Sequence, residues 1–309
     1  MRKTYFLFYV VTISALATAY AQQDPMFSQY MFNTLAVNPA YAGSRDVVSA
    51  TSMYRKQWLR VDGAPRTVTF TADAPFNREH IGLGIIALSD KIGVTSNTGL
   101  YTCYAYRLRL EKGTLAMGLS AGFNQYKADY SSVKLSSAED DYDPVFSQNI
   151  NKTMPNFGAG TYYFTDNFYA GLSIPHIVNN KLFKKGDTIF TTAHLSRHVF
   201  LMGGYVFTLS SDVKLKPSVL VKYVQGSPIN MDINANVWFF DHIAIGLSGR
   251  TSGALVSMLE VQATKQFRFG YAFDFTLNKI RKYSNGTHEL MLRYEFGYIK
   301  NKILTPRYF

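Results

Sequence analysis

Large apolar residues recur at every second position over long stretches of this chain. Toward the C-terminus His288, Leu290, Leu292, Tyr294, Phe296 and Tyr298 share one parity, and Glu289, Met291, Arg293, Glu295 and Gly297 fill the other. Upstream, Phe267, Phe269, Tyr271, Phe273 and Phe275 alternate with Gln266, Arg268, Gly270, Ala272 and Asp274. Ile233, Ala235 and Val237 interleave with Asp232, Asn234 and Asn236, and Leu115, Met117 and Leu119 with Ala116, Gly118 and Ser120. Strand side chains point alternately to opposite faces, so period two predicts strands with one greasy face and one small or polar face. A soluble sandwich hides its greasy faces between two sheets. A membrane barrel turns them to lipid, gathers aromatics at the two interfaces and keeps small or polar residues for the lumen. The aromatic greasy faces and the Gly, Ser, Ala and Asn opposite them favour the barrel.

The pattern predicts strands near 45–57, 66–74, 80–90, 96–110, 114–127, 155–165, 167–176, 193–208, 213–225, 229–239, 242–250, 252–263, 266–276 and 287–299. That is a transmembrane antiparallel β-barrel of about 14 strands, an even number as single-chain bacterial barrels have. Connections at 111–113, 166–167, 210–212, 240–241 and 264–265 are short and fall at one parity, assigned to the periplasm. Those at 128–154, 177–192 and 277–286 are long and fall at the other, assigned to the outside. Two fit less well: 251–252 is short on the outer side, and 75–79 is longish on the inner one.

The ends divide the chain further. Arg2 and Lys3 precede an apolar run closed by Ala19-Tyr20-Ala21, the form of a cleavable signal peptide over 1–21. A retained anchor would need about 20 apolar residues, and no cysteine follows to carry a lipid. Residues 22–44 form a pre-barrel segment at the periplasmic mouth or plugging the lumen, and 45–309 the barrel. The chain ends on the aromatic Phe309, although Pro306, Lys300 and Lys302 make the tail overrun its strand.

Composition adds two constraints. Tyrosine (22) and phenylalanine (23) are abundant while charged residues make up only 17%. The single cysteine, Cys103, excludes an internal disulfide framework. The net charge is +11, with basic residues scattered over strands and loops. Without a basic helical face, and with export expected, nucleic acid is not a partner; anionic lipopolysaccharide or a protein suits loop charges better. Charges at lumen parity include Arg107, Arg109, Asp232, Arg268, Asp274, Arg293 and Glu295. A wet pore and a set of ion pairs filling the lumen both explain them, with Arg268 and Asp274 placed to pair with the last strand.

The pre-barrel segment reads Gln23-Asp24-Pro25-Met26-Phe27-Ser28-Gln29-Tyr30-Met31-Phe32-Asn33, then Asn38-Pro39-Ala40-Tyr41-Ala42-Gly43. Arg55-Lys56-Gln57-Trp58 and Gly63-Ala64-Pro65-Arg66-Thr67 follow, and Pro306-Arg307-Tyr308-Phe309 closes the chain. This order resembles the PorP/SprF family of type IX secretion system membrane proteins. The resemblance implies an outer-membrane barrel that is not an enzyme and needs no cofactor. It implies work with the type IX secretion and gliding machinery, docking secreted cargo with type B C-terminal domains, such as adhesins, at the cell surface. A porin or small-solute transporter is the alternative. Physically, Asn38-Pro39 starts a turn and Gly43 permits a left-handed bend. The segment lacks strand alternation yet carries many large apolar groups, which predicts packing rather than a disordered leader. Phe27, Tyr30, Phe32, Asn38, Pro39, Tyr41 and Trp58 are therefore the candidate plug or partner-binding residues.

Other chemistry-like signals are weaker. Gly118-Leu119-Ser120-Ala121-Gly122 matches a nucleophile elbow, but inside a strand and without the strand-to-helix turn that the elbow needs. His194 and His198 would share a face only on a helix. Glu139, Asp140, Asp141 and Asp143 in the longest outer loop lack the glycine of a calcium loop. Lys181, Lys184 and Lys185 in one outer loop, and Lys279, Arg281 and Lys282 in another, are candidate contacts for lipopolysaccharide or cargo, as are Asp140 and Asp141.

Overall fold

A computed structural model of the chain describes residues 26–76, 80–132, 149–178 and 197–296. The expected signal peptide over 1–21, the tail with Phe309, the acidic run with Asp140 and Asp141, His194 and the loop with Lys184 and Lys185 lie outside the described residues.

The alternating segments are strands. They run β1 (Val48–Lys56), β2 (Arg66–Phe76), β3 (Ile81–Ile92), β4 (Thr95–Leu110), β5 (Gly113–Ala128), β6 (Ile150–Phe164), β7 (Phe168–Ile174), β8 (His198–Tyr205) and β9 (Phe207–Thr208). The second half comprises β10 (Val213–Val224), β11 (Asn230–Phe239), β12 (Ile243–Arg250), β13 (Ala254–Gln262), β14 (Phe267–Thr276) and β15 (Thr287–Phe296). β8 and β9 both pair with β10 and are one stave interrupted at the buried Val206, so the barrel has 14 staves. All neighbours are antiparallel, and β15 closes on β1 from Val48↔Phe296 to Lys56↔His288. Closure pairs the first strand with the last, so the sheet has no open end strand in hydrocarbon.

The side-chain parity follows the sequence pattern. Leu290, Leu292 and Phe296 point outward and are exposed, whereas Glu289, Met291, Arg293 and Glu295 point inward and are buried. The greasy outer face continues through Phe269, Tyr271 and Phe275 on β14 and Ile245 and Leu247 on β12.

Several boundaries differ from the expectation. β2 continues to Phe76, through Pro75, which narrows the longish inner connection to 77–80. β6 starts at Ile150, five residues before Pro155. A proline reads as a strand start because it cannot donate to a ladder, yet here the strand runs through it, opposite Phe123. β7 stops at Ile174, and Pro175 and His176 leave the ladder. The stave β7 is consequently short. The 251–253 turn remains tight, with Gly253 at a φ of +89°.

The core lies in the lumen, not between layers. Residues 26–45 thread the barrel and pack against its inner wall through three single 3-10 turns, Tyr30–Phe32, Thr34–Ala36 and Pro39–Tyr41. Of the two placements open to the pre-barrel segment, mouth or lumen, residues 26–44 occupy the lumen.

Candidate functional site

The threading segment has a direction. Ser28 meets Arg55, Asp274 and Glu289, which lie toward the outer ends of β1, β14 and β15. Tyr30 accepts a hydrogen bond from Asn234 at mid-height, 2.7 Å. Gly43 and Arg45 reach the inner ends of β2 and β15 at Asp73 and Glu295. The plug thus spans the lumen from its outer third to the inner mouth, where the chain turns into β1.

Each end is clamped by buried charge. At the outer end Arg55 holds Asp274 at 2.7 Å and Glu289 at 2.9 Å; Arg250 holds Asp232 at 3.1 Å and Asp274 at 3.3 Å; Lys222 holds Asp232 at 2.8 Å. Three cations face three carboxylates, and Ser28 sits among them. Its backbone N–H and that of Gln29 donate to Glu289 (2.9 and 2.8 Å), and its hydroxyl bridges Arg55 and Asp274. At the inner end Arg45 meets Glu295 at 2.6 Å, Arg107 meets Asp46 at 2.9 Å and the Gly43 carbonyl, and Asp73 accepts from the Gly43 N–H at 2.8 Å. Burial works against the charge on Arg45, but Glu295, with Tyr41 adding to it, outweighs this and holds the guanidinium above its ordinary pKa. Arg107, Asp232, Arg268, Asp274 and Glu295 are therefore ion-paired with plug or wall, whereas Arg293 donates to the Thr51 hydroxyl at 3.1 Å and Arg109 is exposed. Asp274 reaches Arg55 and Arg250, two staves away on either side, rather than the last strand. Arg268 goes to Glu260 at 2.7 Å and lies over the Trp238 ring. Side chains inside a barrel converge on its axis, so their partners are not confined to the neighbouring strand. Arg268 also stands directly opposite Arg293 in register, which makes a pairing there unfavourable.

Between the clamps the contacts are apolar and close. Phe32 meets Trp238 edge-on at 6.4 Å, and Tyr41 meets Tyr162 at 5.4 Å. Asn38 caps its own turn by accepting from the Ala40 N–H (3.0 Å) and donates to the Thr161 carbonyl on β6 (2.9 Å). Pro39 is the first residue of that turn, and Gly43 takes the left-handed bend at φ +70°. The wall opposite is stripped to glycine: a Cβ at Gly118 would lie 2.2 Å from the Ala40 nitrogen, and one at Gly82 would lie 1.8 Å from the Ala42 oxygen. Gly118 is therefore seating for the plug, while Gly122 makes room for Tyr101 of β4. Ser120 stays within β5, with no turn of a nucleophile elbow.

Of the sequence-derived candidates, Tyr30, Phe32, Asn38, Pro39 and Tyr41 come together in the lumen, and Phe27 is partly buried beside them. Trp58 does not join them; it lies in the outer connection after β1, half-buried, its N–H donating to Thr287 at 3.2 Å. Lys279 and Arg281 sit in a short 3-10 turn of the last outer loop, Arg281 over the Phe275 ring.

Above the plug a cleft of about 90 Å³ opens toward the outer mouth beside the ends of β7 and β8. Phe27 and Val37 of the plug, His176, and His198, Phe200 and Lys222 of the wall line it. His176 and Phe200 carried no signal in the sequence and His198 only a helix-dependent one, because the cleft forms where the plug meets the outer ends of the neighbouring staves β7 and β8.

A family model described as "Type IX secretion system membrane protein PorP/SprF" matches residues 19–294. None of the curated proteins matches the chain. Among solved structures, the "CymD monoaromatic hydrocarbon channel" is similar at a TM-score of 0.50 and 10% identity, covering 91% of this chain and 95% of its own. A Pseudomonas aeruginosa FadL homologue follows at 0.46 and 11%, covering 90% and 96%. The Acinetobacter baumannii outer membrane protein Omp33 stands at 0.44 and 11%, covering 81% and 96%. At these identities the likeness is one of fold.

Proposed function

The chain belongs to the PorP/SprF family of type IX secretion system membrane proteins, and from that premise we propose that it is a plugged outer-membrane platform that docks secreted surface proteins. The cargo in this reading carries a type B C-terminal domain, as adhesins do, and other type IX components gather on the same barrel. The barrel is not a catalyst in this reading, and it works within the outer membrane and its lipopolysaccharide.

The observation that carries the proposal is the filled lumen. A solute channel needs a continuous wet path, whereas here residues 26–45 occupy the bore and are clamped at both ends. Buried ion pairs at both ends hold the plug in one geometry, which suits a surface presented to a partner. The outer cleft floored by Phe27 and Val37 is the concave feature at the side from which exported cargo approaches.

The test is affinity purification of the native protein from membranes, followed by mass spectrometry. The reading expects a secreted surface protein and a type IX component to co-purify, and Phe200→Glu in the cleft to lose the surface protein while the barrel still assembles. Recovery of the wild-type barrel with neither partner, or reproducible conductance of the intact protein in planar bilayers, overturns it in favour of a porin.

A further inference from the structure

The lipid-facing surface carries a second feature that the plug and cleft do not use. Lys56, Arg66 and Lys91 stand directly opposite one another across β1, β2 and β3, as the register pairs Lys56↔Arg66 and Arg66↔Lys91 show. All three are exposed and share the parity of the greasy outer face, with Tyr54 and Val68 next toward the membrane on β1 and β2. They lie at the outer ends of their strands. On the other side of Lys56 the row continues to His288 of β15.

Like charges directly opposite on neighbouring strands destabilise a sheet. Among the described residues none of the three has an ion pair or a hydrogen bond to a carboxylate. Asp90, next to Lys91, points inward and accepts from the Thr67 hydroxyl at 2.6 Å. This departs from the two lumen clamps, where Arg45, Arg55, Arg250 and Lys222 are matched by carboxylates. Unmatched cations at the outer interface call for an anion held in the membrane plane.

Below the Lys56 end of the row, across β1, β15, β14 and β13, the lipid face has a groove of about 420 Å³. Ser52 leaves it, because a small side chain stands among Tyr54, Leu290, Leu292, Phe269 and Leu259. Ser52 is opposite Leu292 and Tyr54 opposite Leu290, so the groove descends along β1 and β15 from the Lys56–His288 pair. At about 3.4 Å per residue, Lys56 stands some four residues above the groove's floor at Ser52, within the reach of one molecule with a charged head and a hydrocarbon tail.

We propose that Lys56, Arg66 and Lys91 bind the phosphates of an outer-leaflet glycolipid of lipid A type, one of whose acyl chains lies in the groove over Ser52. The arginine and the two lysines supply charge-assisted donors to phosphate oxygens, and the apolar groove supplies contact that a free phosphate cannot use. The site is distinct from the outer-loop residues Lys279 and Arg281.

Native mass spectrometry of the detergent-purified full chain tests this, with bisphosphorylated lipid A, its dephosphorylated form and inorganic pyrophosphate as probes. The expected result is a lipid A adduct that the dephosphorylated lipid forms poorly and that pyrophosphate fails to displace. Combining Lys56→Gln, Arg66→Gln and Lys91→Gln weakens it by about tenfold or more, at roughly the worth of each cation near an anionic lipid surface. Filling the groove with Ser52→Phe weakens it as well, while Lys265→Gln in an inner turn leaves it unchanged. Assembly is verified by the heat-dependent shift of the barrel on a gel; if the triple variant does not assemble, Arg66→Gln alone is scored. Undiminished adduct in the charge variants overturns the site, as does pyrophosphate binding that matches lipid A, which would show a phosphate site without a lipid. Cargo capture is read separately and is independent of either outcome.

Discussion

Glu289 is wholly buried and its carboxylate takes three donors: the Ser28 and Gln29 N–H groups of the plug and the Arg55 guanidinium of the wall. Glu289→Gln keeps the size and removes the charge. Its new NH2 group then confronts N–H donors, and Arg55 loses one of its two carboxylates. Breaking one side of a buried pair costs about 3–5 kcal/mol, while Asp274 still partners Arg55 and moderates the loss toward the lower figure. The expected outcome is a plug that limited proteolysis can cut in the variant and not in the parent, with the barrel fragment intact. The inward parity of Glu289 is legible in the sequence, since Leu290 and Leu292 flank it on the lipid side. Its partners are not, because Ser28 is 261 residues away and alternation says nothing of what crosses the lumen.

At the scale of elements, the strands come from the alternation and the plug comes from its failure. Residues 26–45 contain large apolar groups without period two, and they fold as short turns because Asn38, Pro39 and Gly43 each impose a local bend. Such a segment has no ladder to join, and its stability rests on the wall around it. Deleting residues 26–44 removes the seal and leaves carboxylates and guanidinia facing a water-filled bore. The shortened protein is expected to conduct ions in planar bilayers where the intact one does not, with conductance falling if the plug is added back as a peptide. The boundary errors also belong here. Pro155 marks no strand start, since β5 and β6 pair on through it to Ala128↔Ile150. The early end of β7 is invisible in the sequence because Pro175 alone does not reveal that the chain turns inward.

For the whole molecule, the distribution of polarity is inverted relative to a soluble domain, with ion pairs at the centre and leucine, phenylalanine and tyrosine outside. Leu247 on β12 is 59% exposed on the outer face, with Ile245 beside it. Leu247→Arg places a cation against hydrocarbon, and near the bilayer midplane this costs about 2–4 kcal/mol. The expected outcome is a loss of that size in reversible unfolding from lipid vesicles, and a much smaller one in detergent micelles that deform around the charge. A soluble sandwich would gain solubility from the same change.

The sequence by itself determined the strand number, the inward and outward faces, the closed barrel and the family, because a strand's parity is a local property and the membrane reads it directly. It also marked residues 22–44 as something other than a strand. Only the tertiary structure decided that residues 26–44 fill the lumen with Ser28 toward the outside, that Asp274 pairs across two staves, and that Lys56, Arg66 and Lys91 fall in one row. Those facts depend on strand register and on closure, which bring distant residues to one height around one axis, and no stretch of chain encodes such a height locally.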